Sequence, residues 1–255
     1  MSNLRIGTII ILLGIAQYLN GQKKGSFIDN RDNHSYKYIQ IGQQIWMAEN
    51  LAYLPQVSPP VSGVKIDEKS FAYCYVYQYS GNSTVEAMKT SFYKFYGVLY
   101  NWNMAINACP TGWHLPSDEE FFILEKNLGM NDRELNDYYY RMSGEIGYLL
   151  KSTSTWINGG IGIDKYGFNA LPGGFRHDGE LSIPNPQGGF GLLGEEGIFW
   201  TSTSISGITA IRRQFSSSSK GIVRFINVKD HGYSVRCIKN LLIEYKFYCI
   251  QVGLE

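Results

Sequence analysis

Four histidines, four cysteines and a run of serines are the side chains with which this chain could do chemistry, and their spacing decides what kind. His34, His114, His177 and His231 stand singly. No H-x-x-H or H-E-x-x-H spacing brings two imidazoles onto one helix face, so a zinc hydrolase has no ligand set here. His114, in Trp113-His-Leu-Pro116 with Asp118 and Glu119 beyond it, has the type of a metal ligand or base, but it reads as a turn residue. His177-Asp178 beside Arg176 reads as a surface turn. Cys74, Cys109, Cys237 and Cys249 include no C-x-x-C pair, which excludes a zinc ribbon and a thioredoxin-like dithiol. Ser216 to Ser219 lack the G-x-S-x-G elbow of a serine nucleophile and read as a solvated strand or hairpin. Gly189-Phe-Gly-Leu-Leu-Gly194 has the letters of a dinucleotide fingerprint. Pro184-Asn-Pro186 precedes it in place of a strand, however, and Glu195-Glu196 would repel a phosphate. The expectation is a protein without catalytic residues, metal or cofactor.

What the chain does have is rings. Aromatic residues make up 15% of it, with 19 Tyr and 5 Trp, while charged residues are only 18%. Tyr and Trp join a large apolar face to a polar tip, so exposed ones stack on sugars or anchor a protein partner. Phe199, Trp200, Trp102 and Trp113 are expected in the core. Trp156, Tyr138, Tyr139, Tyr140, Phe175 and Phe190 are the candidate ligand-binding residues, since all lie in or beside a glycine-rich stretch. The net charge of +1 gives no electrostatic footprint for nucleic acid or anionic membrane.

The elements that must hold these rings can be read from the pattern. Tyr36 to Ile41 alternates with period two, Gly42-Gln43 turns, and Gln44 to Ala48 returns, which predicts a β-hairpin. Residues 55–69, with Pro59-Pro60, read as a loop. Leu99, Trp102 and Ile106 predict a helix within residues 97–107, broken at Pro110. Ser117-Asp-Glu-Glu120 is a capping box opening a short amphipathic helix that Gly129 closes. A second helix is expected from Asp132 to about Lys151, weakened by Gly144 and Gly147. From Gly159 to Gly197 the chain holds twelve glycines, which predicts long shaped loops. Strands then follow at Ile198–Thr203, Ile208–Phe215, Gly221–Val228 and Tyr233–Ile238. Strand, helices, loops and strands in that order give an α+β fold with an antiparallel sheet.

The 255 residues suffice for one large domain with a sizeable core. At the N-terminus, Arg5 precedes the apolar run Ile6 to Leu19, too short to span a bilayer comfortably. Gly21 ends it, so residues 1–21 are expected to be a signal peptide and the mature chain to start near Gln22. An uncleaved anchor is the other meaning of such a run. Export would put the cysteines in an oxidising compartment where thiols pair. Four cysteines allow three connectivities, and spacing does not choose among them.

Six phrases occur in a fixed order: Gly42-Gln-Gln-Ile-Trp-Met-Ala-Glu-Asn-Leu51, Tyr96-Gly-Val-Leu-Tyr-Asn-Trp102, Cys109-Pro-Thr-Gly-Trp-His-Leu-Pro-Ser117, Gly167-Phe-Asn-Ala-Leu-Pro-Gly-Gly174, Phe199-Trp-Thr-Ser-Thr203 and Gly232-Tyr-Ser-Val-Arg-Cys237. Together, over roughly Asp29 to Lys239, they closely resemble the Fibrobacter succinogenes major paralogous domain, a family of exported bacterial proteins grouped with C-type-lectin-like folds. The resemblance implies a C-type-lectin-like α+β domain over residues 22–240, with its first and last strands paired, two or more helices and a long glycine-rich loop region. It implies a Cys109–Cys237 disulfide, which for so long a loop contributes about 4 kcal/mol in the chain-entropy account. The family often has a second close cysteine pair before the Tyr-Gly phrase. Only Cys74 is present there, leaving it free or paired with Cys249 in a β-like tail, residues 241–255, for which the resemblance gives no account.

Sugar-binding C-type lectins hold calcium with Glu-Pro-Asn and Trp-Asn-Asp motifs. Ile183-Pro184-Asn185 and Trp200-Thr201-Ser202 lack the acids and the amide, so that site is absent from the pattern. Asp178, Glu180, Glu195 and Glu196 are the acids that remain in those loops. Sulfatase-modifying oxidoreductases look similar around His114 to Glu120 and Gly232 to Arg236, but their chemistry needs reactive late cysteines. The resulting expectation is an exported binding module in the periplasm, at the cell surface or outside, with a glycan or surface protein as partner and no membrane span after signal cleavage. A structural surface component without a small ligand is one alternative, and a sulfatase-modifying-like oxidoreductase of the same fold is the other.

Overall fold

The computed structural model describes residues 23–62, 71–177 and 189–240. It is mixed α+β, with sheets that are mostly antiparallel. The expected signal peptide, the tail, Cys249, Asp178, Glu180 and residues 63–70 of the expected loop lie outside the described residues.

The chain opens with β1 (Lys24–Asp29), β2 (His34–Ile41) and β3 (Gln44–Met47), followed by β4 (Cys74–Tyr75), α1 (Thr84–Lys89), α2 (Ser91–Tyr96), β5 (Leu99–Tyr100), α3 (Trp102–Ala105) and β6 (Trp113–His114). Then come α4 (Asp118–Asn127), α5 (Asp132–Leu135), β7 (Tyr139–Arg141) and α6 (Ile146–Leu150). Last are β8 (Gly173–His177), β9 (Gly189–Leu193), β10 (Glu196–Ser204), β11 (Thr209–Ser216), β12 (Ile222–Val228) and β13 (Ile238–Lys239). One sheet runs β1-β2-β3-β13-β6, so the last strand lies between the first strands and β6. A larger sheet runs β7-β12-β11-β10-β8-β9, and β4 pairs with β5.

The hairpin forms where the alternation puts it, with Ile41 opposite Gln44 across a turn at Gly42. Gly42 has φ 59, and a side chain there would meet that of Asn127. Strand β1 goes unannounced because Lys24-Gly-Ser-Phe-Ile-Asp29 has too few apolar residues to show a period. Helix α4 carries the capping box: Ser117 Oγ accepts the Glu120 amide at 3.1 Å, and Glu120 Oε2 accepts the Ser117 amide at 2.8 Å.

Three expected elements come out differently. Residues 97–107 do not form one helix, because Leu99 and Tyr100 pair with β4. Asn101 forces the change: its Oδ1 accepts the amides of Tyr73 at 2.8 Å and Met104 at 3.2 Å, ending a strand and capping α3 together. The helix expected from Asp132 to Lys151 is interrupted by β7, which pairs with β12, and Gly144 at φ 71 bends the chain before α6. Within the glycine-rich stretch, β8 and β9 form a hairpin in place of loops throughout. Gly174, at φ 64, lets the two backbones approach so closely that a Cβ would lie 2.4 Å from the Gly191 carbonyl oxygen. The late strands β10 to β12 fall where expected. The stretch 233–238 is strand only at Ile238, while Tyr233 and Ser234 make single bridges to Tyr100 and Phe199.

Strand alternation divides the core into two clusters. Phe199 and Phe215 join Trp46, Phe121, Leu124 and Phe168 on one face of the large sheet. Ile198 and Trp200 point the other way, into a cluster with Tyr36, Trp113, Tyr233 and Val235. Trp102 is half-buried at the edge of that cluster, beneath Lys229 Nζ at 4.2 Å. Cys109 and Cys237 form the disulfide that the resemblance implies, across 128 residues. Cys74 is a free, fully buried thiol, pushed up to about 12 by burial.

A buried ionic network clamps α4 to the large sheet. Arg141 donates to both Glu125 carboxylate oxygens at 2.7 Å, and Arg213 Nε donates to Glu125 Oε1 at 2.7 Å. Arg213 also reaches Asp118 at 2.5 Å, and Arg224 reaches it at 2.6 Å. Burial works against the Asp118 carboxylate, but the two guanidinium groups hold it below the usual range. Removing one member leaves uncompensated buried charge, which costs about 3–5 kcal/mol. Glu125→Ala is therefore expected to lose stability of that order in urea unfolding. A loss below about 1 kcal/mol would show that the clamp contributes little.

Candidate functional site

The exposed rings concentrate at β7, the edge of the large sheet. Tyr138, Tyr139 and Tyr140 are 40%, 64% and 56% exposed, as their candidacy requires. Tyr139 packs 5.2 Å from Phe225 on the neighbouring β12. The Arg212 guanidinium lies 5.2 Å from the Phe225 ring centre and 5.7 Å from that of Tyr233. Tyr233 in turn lies 6.2 Å from Phe175 on β8. Tyr139, Phe225, Arg212, Tyr233 and Phe175 thus form a connected series of ring and cation contacts, a strip in which Tyr233, the link to Phe175, is buried and the others are partly or largely exposed. Tyr138 covers Arg224 at 4.2 Å, and Tyr140 stands opposite Val223.

Tyr138 and Tyr140 flank the strip, and the other two candidates lie away from it. Trp156 was expected to be exposed and is buried at 5%. Its indole N–H donates to Ser152 Oγ at 3.0 Å and to the Ala170 carbonyl at 3.3 Å, so the ring's polar edge is satisfied inside the core. Phe190 stands opposite Arg176 in the β8–β9 register, one place from Phe175, and so emerges on the other face. There it packs 5.0 Å from Tyr77.

Phe225 and Arg212 are the strip residues that sequence reasoning missed. Arg212 lies between buried neighbours and Phe225 within a run of half-buried ones, each in an ordinary strand, and only the pairing of Arg212 with Phe225 shows that they share a face. Tyr139 has φ 69, in the left-handed region that a side chain disfavours by about 1–2 kcal/mol. That strain sits at the most exposed ring of the strip.

A polar group borders the strip. Arg212 donates to Gln214 Oε1, and Glu196 hydrogen-bonds to Gln214 and Ser216. Burial pushes the Glu196 carboxyl up to about 7. Lys151, drawn down to about 8 by burial, donates to the carbonyls of Ser216 at 2.8 Å and Ser219 at 2.9 Å. His114, by contrast, serves the capping box. Its Nε2 lies 2.8 Å from Glu120 Oε1 and its Nδ1 2.6 Å from Asn240 Oδ1, and the Glu120 bond raises its pKa despite partial burial. No group of three or more His, Cys, Asp or Glu among the described residues is placed to hold a metal ion.

Compared with known proteins, residues 39–239 match the family model of the Fibrobacter succinogenes major domain. No curated protein and no solved structure matches the chain.

Glu196 gives the border of the strip a pH dependence. The folded state binds its proton more tightly than the unfolded chain, so this carboxyl's contribution falls as pH rises from 4.5 towards about 7. Glu196→Gln is expected to be less destabilised than the parent over that interval. Urea midpoints measured at pH 4.5 and 7.5 that shift equally in both proteins would contradict this.

Proposed function

The chain belongs to the Fibrobacter succinogenes major domain family, and from that premise we propose an exported, non-catalytic binding module that holds an extended glycan at or beyond the cell surface. The observation that carries this reading is the strip from Tyr139 through Phe225 and Arg212 to Phe175. Rings in a row offer flat apolar faces to successive sugar units, and a guanidinium held between two rings adds a hydrogen-bond donor at little cost in ordering. Strain at Tyr139 is consistent with a position kept for contact rather than for folding.

Export draws support from the apolar run Ile6 to Leu19 and from the Cys109–Cys237 disulfide, which suits an oxidising compartment. Among the described residues no helix is long and apolar enough to cross a membrane. The finer reading of the fold as C-type-lectin-like draws support from β13 pairing with both β3 and β6, which brings the two ends of the domain into one sheet. A second reading, a structural surface component, is favoured by β1, an edge strand with one ladder unpaired in its sheet.

The mature protein from Gln22 would be screened on a glycan array, with and without calcium. At least one extended glycan is expected to bind, and Tyr139→Ala and Phe225→Ala each to weaken it about tenfold, the scale of losing one anchoring ring. Binding indifferent to both variants would remove the strip as the platform. The absence of any glycan ligand would favour the structural reading.

A further inference from the structure

A second feature, sharing no residue with the strip, is a cleft of about 740 Å³ bounded by β2, the chain after β3, α2 and the segment 164–171. That volume suits a small-molecule site, which typically measures about 300–1,000 Å³. We infer that this cleft binds a short neutral saccharide, a di- or trisaccharide without charged groups.

The lining argues for such a ligand. Glu49 and Asp164 line the cleft against Lys37 and Lys94, with His34 beside them, so acidic and basic side chains are mixed and neither an anion nor a cation meets a surface of one opposite sign. The carboxylate of Glu49 and the side-chain amide of Asn169 are planar forks with two polar atoms each, suited to neighbouring hydroxyls on a sugar ring, and Asp164 adds the carboxylate oxygen that does not accept the Asn169 N–H. A hydroxyl can donate to a carboxylate while accepting from an ammonium, so both kinds of charged group are used by one neutral ligand. Phe95, 49% exposed at the cleft, supplies a ring face and is itself braced edge-on by Tyr96 at 4.8 Å.

The wall is held in place before any ligand arrives. Asp164 Oδ1 accepts the Asn169 backbone N–H at 2.7 Å, which fixes the carboxylate against the turn. Behind the turn lies Arg236, fully buried, donating to the carbonyls of Phe168, Asn169 and Met47 and to Asn50 Oδ1. Among the described residues its guanidinium has no carboxylate in hydrogen-bond contact, and burial draws its pKa down to about 9. One cation therefore ties residues 168 and 169, which carry the Asn169 fork, to Met47 and Asn50 beside Glu49. Such preorganisation spares a ligand the cost of ordering its site.

Saturation-transfer NMR and titration calorimetry on the mature protein would use neutral disaccharides and trisaccharides of glucose, xylose and N-acetylglucosamine, with glucuronic acid and glucosamine as charged controls. At least one neutral saccharide is expected to bind. Phe95→Ala, at an exposed position, and Asp164→Asn, which keeps an acceptor oxygen, are each expected to weaken it about tenfold. Tyr139→Ala is expected to leave it unchanged, and thermal unfolding of each variant would confirm a folded protein. Binding lost in Tyr139→Ala but kept in Phe95→Ala would overturn the cleft while supporting the strip. No saturation transfer to any neutral saccharide, or binding of the charged controls alone, would overturn the cleft and leave the strip untouched.

Discussion

Everything placed on the large sheet depends on two carboxylates inside the protein. Asp118 and Glu125 lie about two turns apart on α4's buried face, and three arginines from β7, β11 and β12 converge on them. Charge taken out of water is tolerated only when it is paired and hydrogen-bonded nearly completely. That demand is geometric. It fixes the height of α4 over the sheet, the register of three strands, and the point at which β7 joins the sheet edge. Apolar packing around Phe121 and Leu124 would accept small slips that the bidentate Arg141–Glu125 pair does not.

The ring strip inherits its order from this clamp. Arg141 pulls β7 into the sheet from one end, and Arg224 lies beneath the Tyr138 ring while bound to Asp118. The tyrosines are therefore carried on a short strand with little freedom to fold back, even though their own side chains are largely exposed. Strands β11 and β12 send Arg213 and Arg224 to the clamp on one face and Arg212 and Phe225 to the strip on the other. The cleft is organised on different terms. There a single buried cation, Arg236, gathers carbonyls from several segments and stands next to Cys237 of the disulfide.

How much of this was legible in the sequence depended on the range of the interaction responsible. The hairpin, the α4 cap and strands β10 to β12 were legible because their signals are local: alternation, a turn glycine, a Ser and a Glu three residues apart. The break at Asn101 and the intrusion of β7 into an expected helix were not, since each is imposed by partners far along the chain. The site divides the same way. Tyr138 to Tyr140 stood out by type and spacing, whereas Phe225 and Arg212 acquire meaning only through strand pairing. Trp156 misled because ring content does not reveal whether an indole N–H finds its acceptor inside, as it does at Ser152 and Ala170.

The disulfide also settles how the domain would carry a mechanical load. Tension applied before β1 and after β13 enters one sheet from both sides, because β13 lies between β3 and β6. Cys109 and Cys237 join the chain across 128 residues, so the force path runs through the sulfur bridge and bypasses everything between. Roughly 450 Å of potential extension, at about 3.5 Å per residue, is locked away from the pull. The large sheet, and with it the ring strip at β7, lies wholly inside that slack loop. A pull that peeled the first strands from the last would leave the covalent loop that carries the rings intact.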